Sequence, residues 1–192
     1  MQHLSTEGKE RKLPEYAFDY CFPGDEFGYK WTVLVGKERL GEGVMATAVP
    51  QKGSVGMFAI DKVLEFVSEC GDKNNPIIVK SDQENAIELL VEDVVNQRPE
   101  EKTFVEEAPK NSKGSAGLVE RAVQEMEGRI RALFLSLSKR LGRELDARER
   151  IVAFIPEYAA YLYNRLIVGE DGKTAYQRMK GKKPTVLGVE FG

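Results

Sequence analysis

Soft metal ligands are scarce in this chain: among 192 residues there are one histidine and two cysteines. A Cys/His zinc finger needs four such ligands, so none can be built within these residues. Cys21 and Cys70 show no paired spacing, which argues against a disulfide framework and for a reducing compartment. Long apolar runs are also missing. No stretch approaches the roughly 18 residues of a membrane span. The opening MQHLSTEGKERKLPE has no apolar region of the secretory type and reads as a polar lead-in. A soluble, intracellular chain is expected. At roughly 150 residues per domain, the length suits one full domain, or one domain with a tail. A composition 42% hydrophobic and 9% aromatic is enough for a packed core.

The net charge of −3 hides a split. Residues 1–108 hold 12 basic and 21 acidic side chains, a balance of −9. Residues 109–192 hold 16 basic and 10 acidic, a balance of +6. Such asymmetry points to nucleic acid or to a basic tail, although on charge alone solvated helix faces are the simpler explanation.

The first strand signal is EYAFDYCF, Glu15 to Phe22. Tyr16, Phe18, Tyr20 and Phe22 alternate with Ala17, Asp19 and Cys21. YKWTVLVG (29–36) and VMATAV (44–49) follow as strands, giving an antiparallel meander. Between them, Gly41 to Ala46 fits the G-x-G-x-x-A dinucleotide pattern. That pattern must open a helix, whereas Thr47-Ala48-Val49-Pro50 cannot, so a hairpin turn is expected. From Val55 to Cys70 the apolar period becomes helical, with Met57, Ile60, Leu64 and Val67 on one face. NNPIIVK reads as a buried strand, Ala86 to Gln97 as a helix and KTFVEE as a fifth strand. APKNSKGSAG reads as a polar loop. Leu118 to Leu141 forms the longest apolar stripe, through Ala122, Met126, Ile130, Leu133 and Leu137. A last helix spans about Ala147 to Ile167, with Ile151, Phe154, Ile155, Tyr158 and Leu162 on its buried side. Its Pro156 must kink it or split it. This order predicts an α/β fold: a mixed five-stranded sheet, three antiparallel strands and then parallel ones, with helices on both faces.

Three carboxylates stand out by context. Asp19 lies in mid-strand, opposite four aromatics, where propensity disfavours a carboxylate; it needs a partner, a cation or an exposed strand face. Asp82 follows IIVK at the C-terminal edge of a buried strand, where α/β sheets bind ligands, and it could equally cap the next helix. Glu120 falls in the first turn of the predicted long helix, beside the apolar stripe, and an acid is favourable there on its own account. A divalent metal site would give all three a common reason, because Mg²⁺ prefers hard oxygen ligands and a two-metal site serves phosphoryl transfer.

These residues resemble the integrase catalytic core of retroelements, ribonuclease-H-like polynucleotidyl transferases with an Asp, Asp, Glu triad. Asp19 in the first strand and Asp82 in VKSDQE match the family's two aspartates. Glu120 stands in GLVERAV, similar to the G-x-x-E-R that begins the catalytic helix, at a comparable spacing from Asp82. Asn164-Arg165, KTAYQRMKGKKPTV and the closing Phe191-Gly192 resemble the stretch that follows the core in copia-type elements. The likeness covers about residues 14–192. Departures are Gln83 and Glu84 where the family often has Asn-Gly, and Ala116 where an Asn often precedes Gly117. Gln124 and Glu127 stand where some retroviral integrases carry DNA-facing basic residues. The zinc-binding domain that often precedes the core, and a nucleic-acid-binding C-terminal domain, have no counterpart in these residues.

The resemblance implies metal-dependent DNA integration, by phosphodiester cleavage and strand transfer. Asp19, Asp82 and Glu120 would be both catalytic residues and ligands of Mg²⁺ or Mn²⁺. The partners implied are element-end and target DNA and further copies of the chain, acting in the nucleus. Lys110, Lys113, Arg121, Lys180, Lys182 and Lys183 are candidate phosphate contacts; the last three also suit solvated lysines near a terminus. The loop Lys110–Gly117 would lie over the scissile strand. The expected divisions are a lead-in at 1–13, the catalytic core at 14–143, and a helix with a basic tail at 144–192. Two other functions fit the same residues: an inactive or domesticated nucleic-acid-binding or assembly module, and a ribonuclease-H-like nuclease.

Overall fold

The computed structural model describes residues 13–24, 31–53, 56–81, 84–99, 102–107 and 113–185. Five strands form one sheet: β1 (Glu15–Cys21), β2 (Val33–Glu38), β3 (Val44–Ala48), β4 (Ile77–Ser81) and β5 (Thr103–Glu107). Their spatial order is β3-β2-β1-β4-β5. β1–β2 and β2–β3 are antiparallel, while β1–β4 and β4–β5 are parallel. This is the mixed sheet that the element order predicts. The hairpin reading of Gly41–Ala46 holds: the Glu38 N–H donates to the Gly43 carbonyl at 2.9 Å, closing the β2–β3 turn.

Strand alternation sends side chains into two separate cores. On one face Tyr16, Phe18, Tyr20, Leu34 and Met45 pack against α1 (Phe58–Glu69) and α2 (Asn85–Gln97), through Ile60, Val63, Phe66, Ile87 and Leu90. Gly36 is required on this face, since a Cβ there would stand 2.7 Å from both Phe18 and Met45 side-chain carbons. On the other face Cys21, Trp31, Val33, Val35 and Val44 meet Ala122, Met126, Ile130, Phe134 and Leu137 of α3 (Lys113–Leu141). The same core takes Leu145, Val152, Ile155 and Ala159 from beyond residue 143.

Three expectations need correction. α3 begins at Lys113, five residues before Leu118, so most of the expected Lys110–Gly117 loop is helical; Lys110 itself lies outside the described residues. The glycines at 114 and 117 lower helix propensity by about 1 kcal/mol each without forbidding a helix that packs further along. The last helix takes the split that Pro156 allowed, and it begins at Val152 instead of near Ala147. Val152–Phe154 form one 3₁₀ turn, and α4 (Ile155–Leu166) starts with Pro156 in its first turn, where a missing N–H costs nothing. As a result Phe154 points outward, 59% exposed, and Val152 takes the buried place expected of it. The tail also carries an unexpected helix, α5 (Ala175–Lys180). It has a capping box between Thr174 and Gln177 and a left-handed Gly181 after it.

α4 closes the β3 edge of the sheet. Asn164 accepts from the Val44 N–H at 2.9 Å and donates to the Val44 carbonyl at 2.7 Å, as a neighbouring strand would. Among the described residues no helix is long and apolar enough to cross a membrane.

Candidate active site at the C-terminal edge of the sheet

The parallel pairing of β1 with β4 runs Glu15↔Ile78, Tyr16↔Val79 and Ala17↔Lys80. The C-terminal ends of the two strands therefore reach the same sheet edge. Asp19 sits two residues beyond the last of these pairs, half-buried, opposite Val35 of β2. Alternation puts it with Ala17 and Cys21 on the α3 side. Its Oδ1 accepts the Tyr20 N–H at 2.7 Å, which orients the carboxylate at the strand exit. Asp82, one residue past β4, lies outside the described residues.

α3 crosses the Asp19 side of the sheet. Because the helix starts at Lys113, Glu120 stands in its second turn, not its first, and is exposed. Glu127 is seven residues on, two turns along the same helix face. Its Oε1 accepts the Phe22 N–H at 3.3 Å, and Arg131 pairs with it at 3.7 Å while donating to the Pro23 carbonyl at 3.3 Å. This clasp fastens the exit of β1 to α3. Burial pushes the Cys21 thiol up, and the negative charges of Glu127 and Asp19 push it further. Both carboxylates thus act on one buried thiol from the α3 side. Glu127 was visible in the sequence only as a departure from a basic position. Its i+7 spacing from Glu120 was the available signal.

Of the candidate phosphate contacts, Arg121 is exposed on α3, beside Glu120 in sequence. Lys113 opens α3, and its side chain is not among those described. Lys180 ends α5, where its ammonium donates to the Glu69 carbonyl at 2.7 Å. Lys182 and Lys183 follow, both exposed. Among the described residues no group of three or more His, Cys, Asp and Glu side chains gathers as a metal set. Of the three carboxylates singled out in the sequence, Asp19 and Glu120 are among those residues.

A central β1 flanked by antiparallel β2 and parallel β4, with a long helix laid across its Asp19 side, is the ribonuclease-H-like fold of integrase cores. Solved structures with this fold include the HTLV-2 integrase catalytic core domain in complex with magnesium, in a trimeric form. That domain shares 17% identity over 88% of this chain and 98% of that one, with a TM-score of 0.62. The catalytic core domain of BIV integrase matches at 16% identity over 86% and 92%, with a TM-score of 0.54. A simian T-cell lymphotropic virus intasome, in complex with the PP2A regulatory subunit B56 gamma, matches at 17% identity over 96% of this chain and 61% of that one, with a TM-score of 0.61. No family model matches the chain, and no curated relative does.

Proposed function

We propose that the chain is a metal-dependent DNA strand-transfer domain of a retrotransposon-type integrase, with Asp19, Asp82 and Glu120 as its catalytic carboxylates. One observation carries the reading: β1 delivers Asp19 to the sheet edge where β4 ends, on the side that α3 crosses with Glu120. The donor set suits Mg²⁺ or Mn²⁺, because the carboxylates are hard oxygen ligands and the Cys21 thiol nearby is buried and held protonated. A bound ion there would polarise a phosphodiester and lower the pKa of an attacking water or DNA 3′-hydroxyl.

The chain's own residues would do the rest. The Tyr20 N–H orients Asp19, and the Glu127–Arg131 clasp holds β1 against the helix that carries Glu120. Lys110, Lys113, Arg121, Lys180, Lys182 and Lys183 would track the phosphates of element-end and target DNA. Association between copies of the chain and action in the nucleus belong to the same reading. So does the division into a core at 14–143 and an extension at 144–192. The magnesium complex and the intasome named above support the metal and DNA parts by analogy of fold.

The test is strand transfer on element-end DNA with Mg²⁺ or Mn²⁺. Asp82→Asn and Glu120→Gln are expected to lower the rate about a hundredfold or more, since removing even an outer partner of a metal ligand costs about 10–100-fold. Folded variants that cut and join as well as wild type would overturn the triad. An inert wild type that binds DNA with salt-dependent affinity would replace this reading with a binding module.

A further inference from the structure

We propose that Lys52 is a phosphate-contact residue at the active edge, held ready by an aromatic seat and a resident counter-ion, Glu84. This rests on the DNA-acting function proposed above and adds a residue to it. Lys52 lies in the connection between β3 and α1. Its Nζ is 2.6 Å from Glu84 Oε1, 5.6 Å from the centre of the Tyr20 ring and 5.1 Å from that of Phe22. Tyr20 closes the β1 strand one residue before its end, and Phe22 follows the strand directly. Lys52 is therefore placed across β1 from Asp19, at the same strand exit. The Gly53 N–H donates to the Tyr20 hydroxyl at 3.0 Å, which fixes the connection over β1.

The arrangement is a poor stabiliser and a good receptor. Lys52 is 35% and Glu84 36% exposed, and an ion pair in that setting contributes about 0–1 kcal/mol. Glu84 is the residue preceding α2, yet its side chain makes no cap to that helix and turns to Lys52 instead. An ammonium carries three donors, of which Glu84 takes one. The cation sits over two ring faces, so much of its freedom is already lost before any ligand arrives. A DNA phosphodiester brings the same charge as Glu84 on two anionic oxygens of its own, and it can displace the carboxylate without Lys52 leaving its seat. Glu84 then acts as a competitor for the same ammonium, two residues along the chain from Asp82.

That competition gives the partners opposite effects. Binding of the full chain to a short fluorescein-labelled DNA duplex, read by anisotropy in EDTA from 50 to 200 mM NaCl, tests it. Lys52→Gln is expected to weaken binding roughly threefold and to reduce the slope of log K against log salt by about 1, the contribution of one phosphate. Lys52→Arg should restore both. Glu84→Gln should tighten binding about two- to threefold by freeing the ammonium. A Lys52→Gln chain with wild-type affinity and slope overturns the proposal. So does a Glu84→Gln chain that loses affinity alongside Lys52→Gln, as the two halves of a merely structural bridge would. A wild type with no affinity for the duplex overturns the DNA reading as well, whereas normal wild-type binding with an indifferent Lys52 sinks this inference alone.

Discussion

On one side of β1, Asp19 and Cys21 face α3, whose Glu127 accepts the Phe22 N–H at the strand exit. On the other, Tyr20 and Phe22 face the α1–α2 layer and meet the Lys52–Glu84 ion pair, with the Lys52 ammonium over both rings. Residues adjacent in sequence thus enter a surrounding of carboxylates on one face and an aromatic one that seats an ion pair on the other. The pleat alone makes this division, since successive side chains leave a strand on opposite faces. Under the function proposed above, the strand end would offer carboxylates to a divalent ion from one face and a cation to a phosphate from the other.

Each face of β1 rests on its own buried anchor. Met126 is fully buried against Cys21 and Val35, and Met126→Ala is expected to cost about 2–5 kcal/mol of stability, read as a lower denaturant midpoint with an unchanged slope. A loss under about 1 kcal/mol would mean that α3 does not depend on this core. On the opposite face Gly36→Ala would push a Cβ into Phe18 and Met45, for an expected loss of about 1–3 kcal/mol in the same measurement. Stability equal to wild type would show that the aromatic layer gives way freely.

A smaller effect sits at the other end of β1. Burial pushes the Glu15 carboxyl up, but the hydrogen bonds and charges of Lys80 at 2.9 Å and Arg39 at 3.0 Å outweigh it and hold the pKa below the ordinary 4.5. Folded protein therefore binds fewer protons here than unfolded chain, and the stabilisation is complete above pH 4.5 and lost as pH falls through the folded pKa. The difference in melting temperature between wild type and Glu15→Gln should be largest near neutrality and shrink on acidification. A difference independent of pH would remove the ion pairs from the account.

How much of this was legible follows from what each feature depends on. The aromatic alternation around Asp19 and the 3.6-residue stripe of α3 are local periodicities, and both fall within elements that form. The start of α3 was not legible, because Gly114, Ser115 and Gly117 read as loop until a packed helix overrides their propensity. α5 had a readable frame in Thr174, Gln177 and Gly181, hidden by the surrounding glycines and lysines. Pro156 allowed a kink or a break, and only the packing of Val152 and Ile155 decides between them. The seat of Lys52 has no local signal. It needs β1, the β3–α1 connection and the residue before α2 brought together, and it exists only after the sheet has closed.

The amide of Asn164 has a consequence for the order in which the molecule assembles. It reads the outward backbone of Val44 from 120 residues away, so until α4 has been made and docked, β3 is an open edge able to recruit a strand from another chain. A nascent or truncated chain ending near residue 143 would expose that edge together with the underside of Val152 and Ile155's core. The late helix is thus a built-in chaperone for the early sheet, and its absence would show as self-association before any loss of strands.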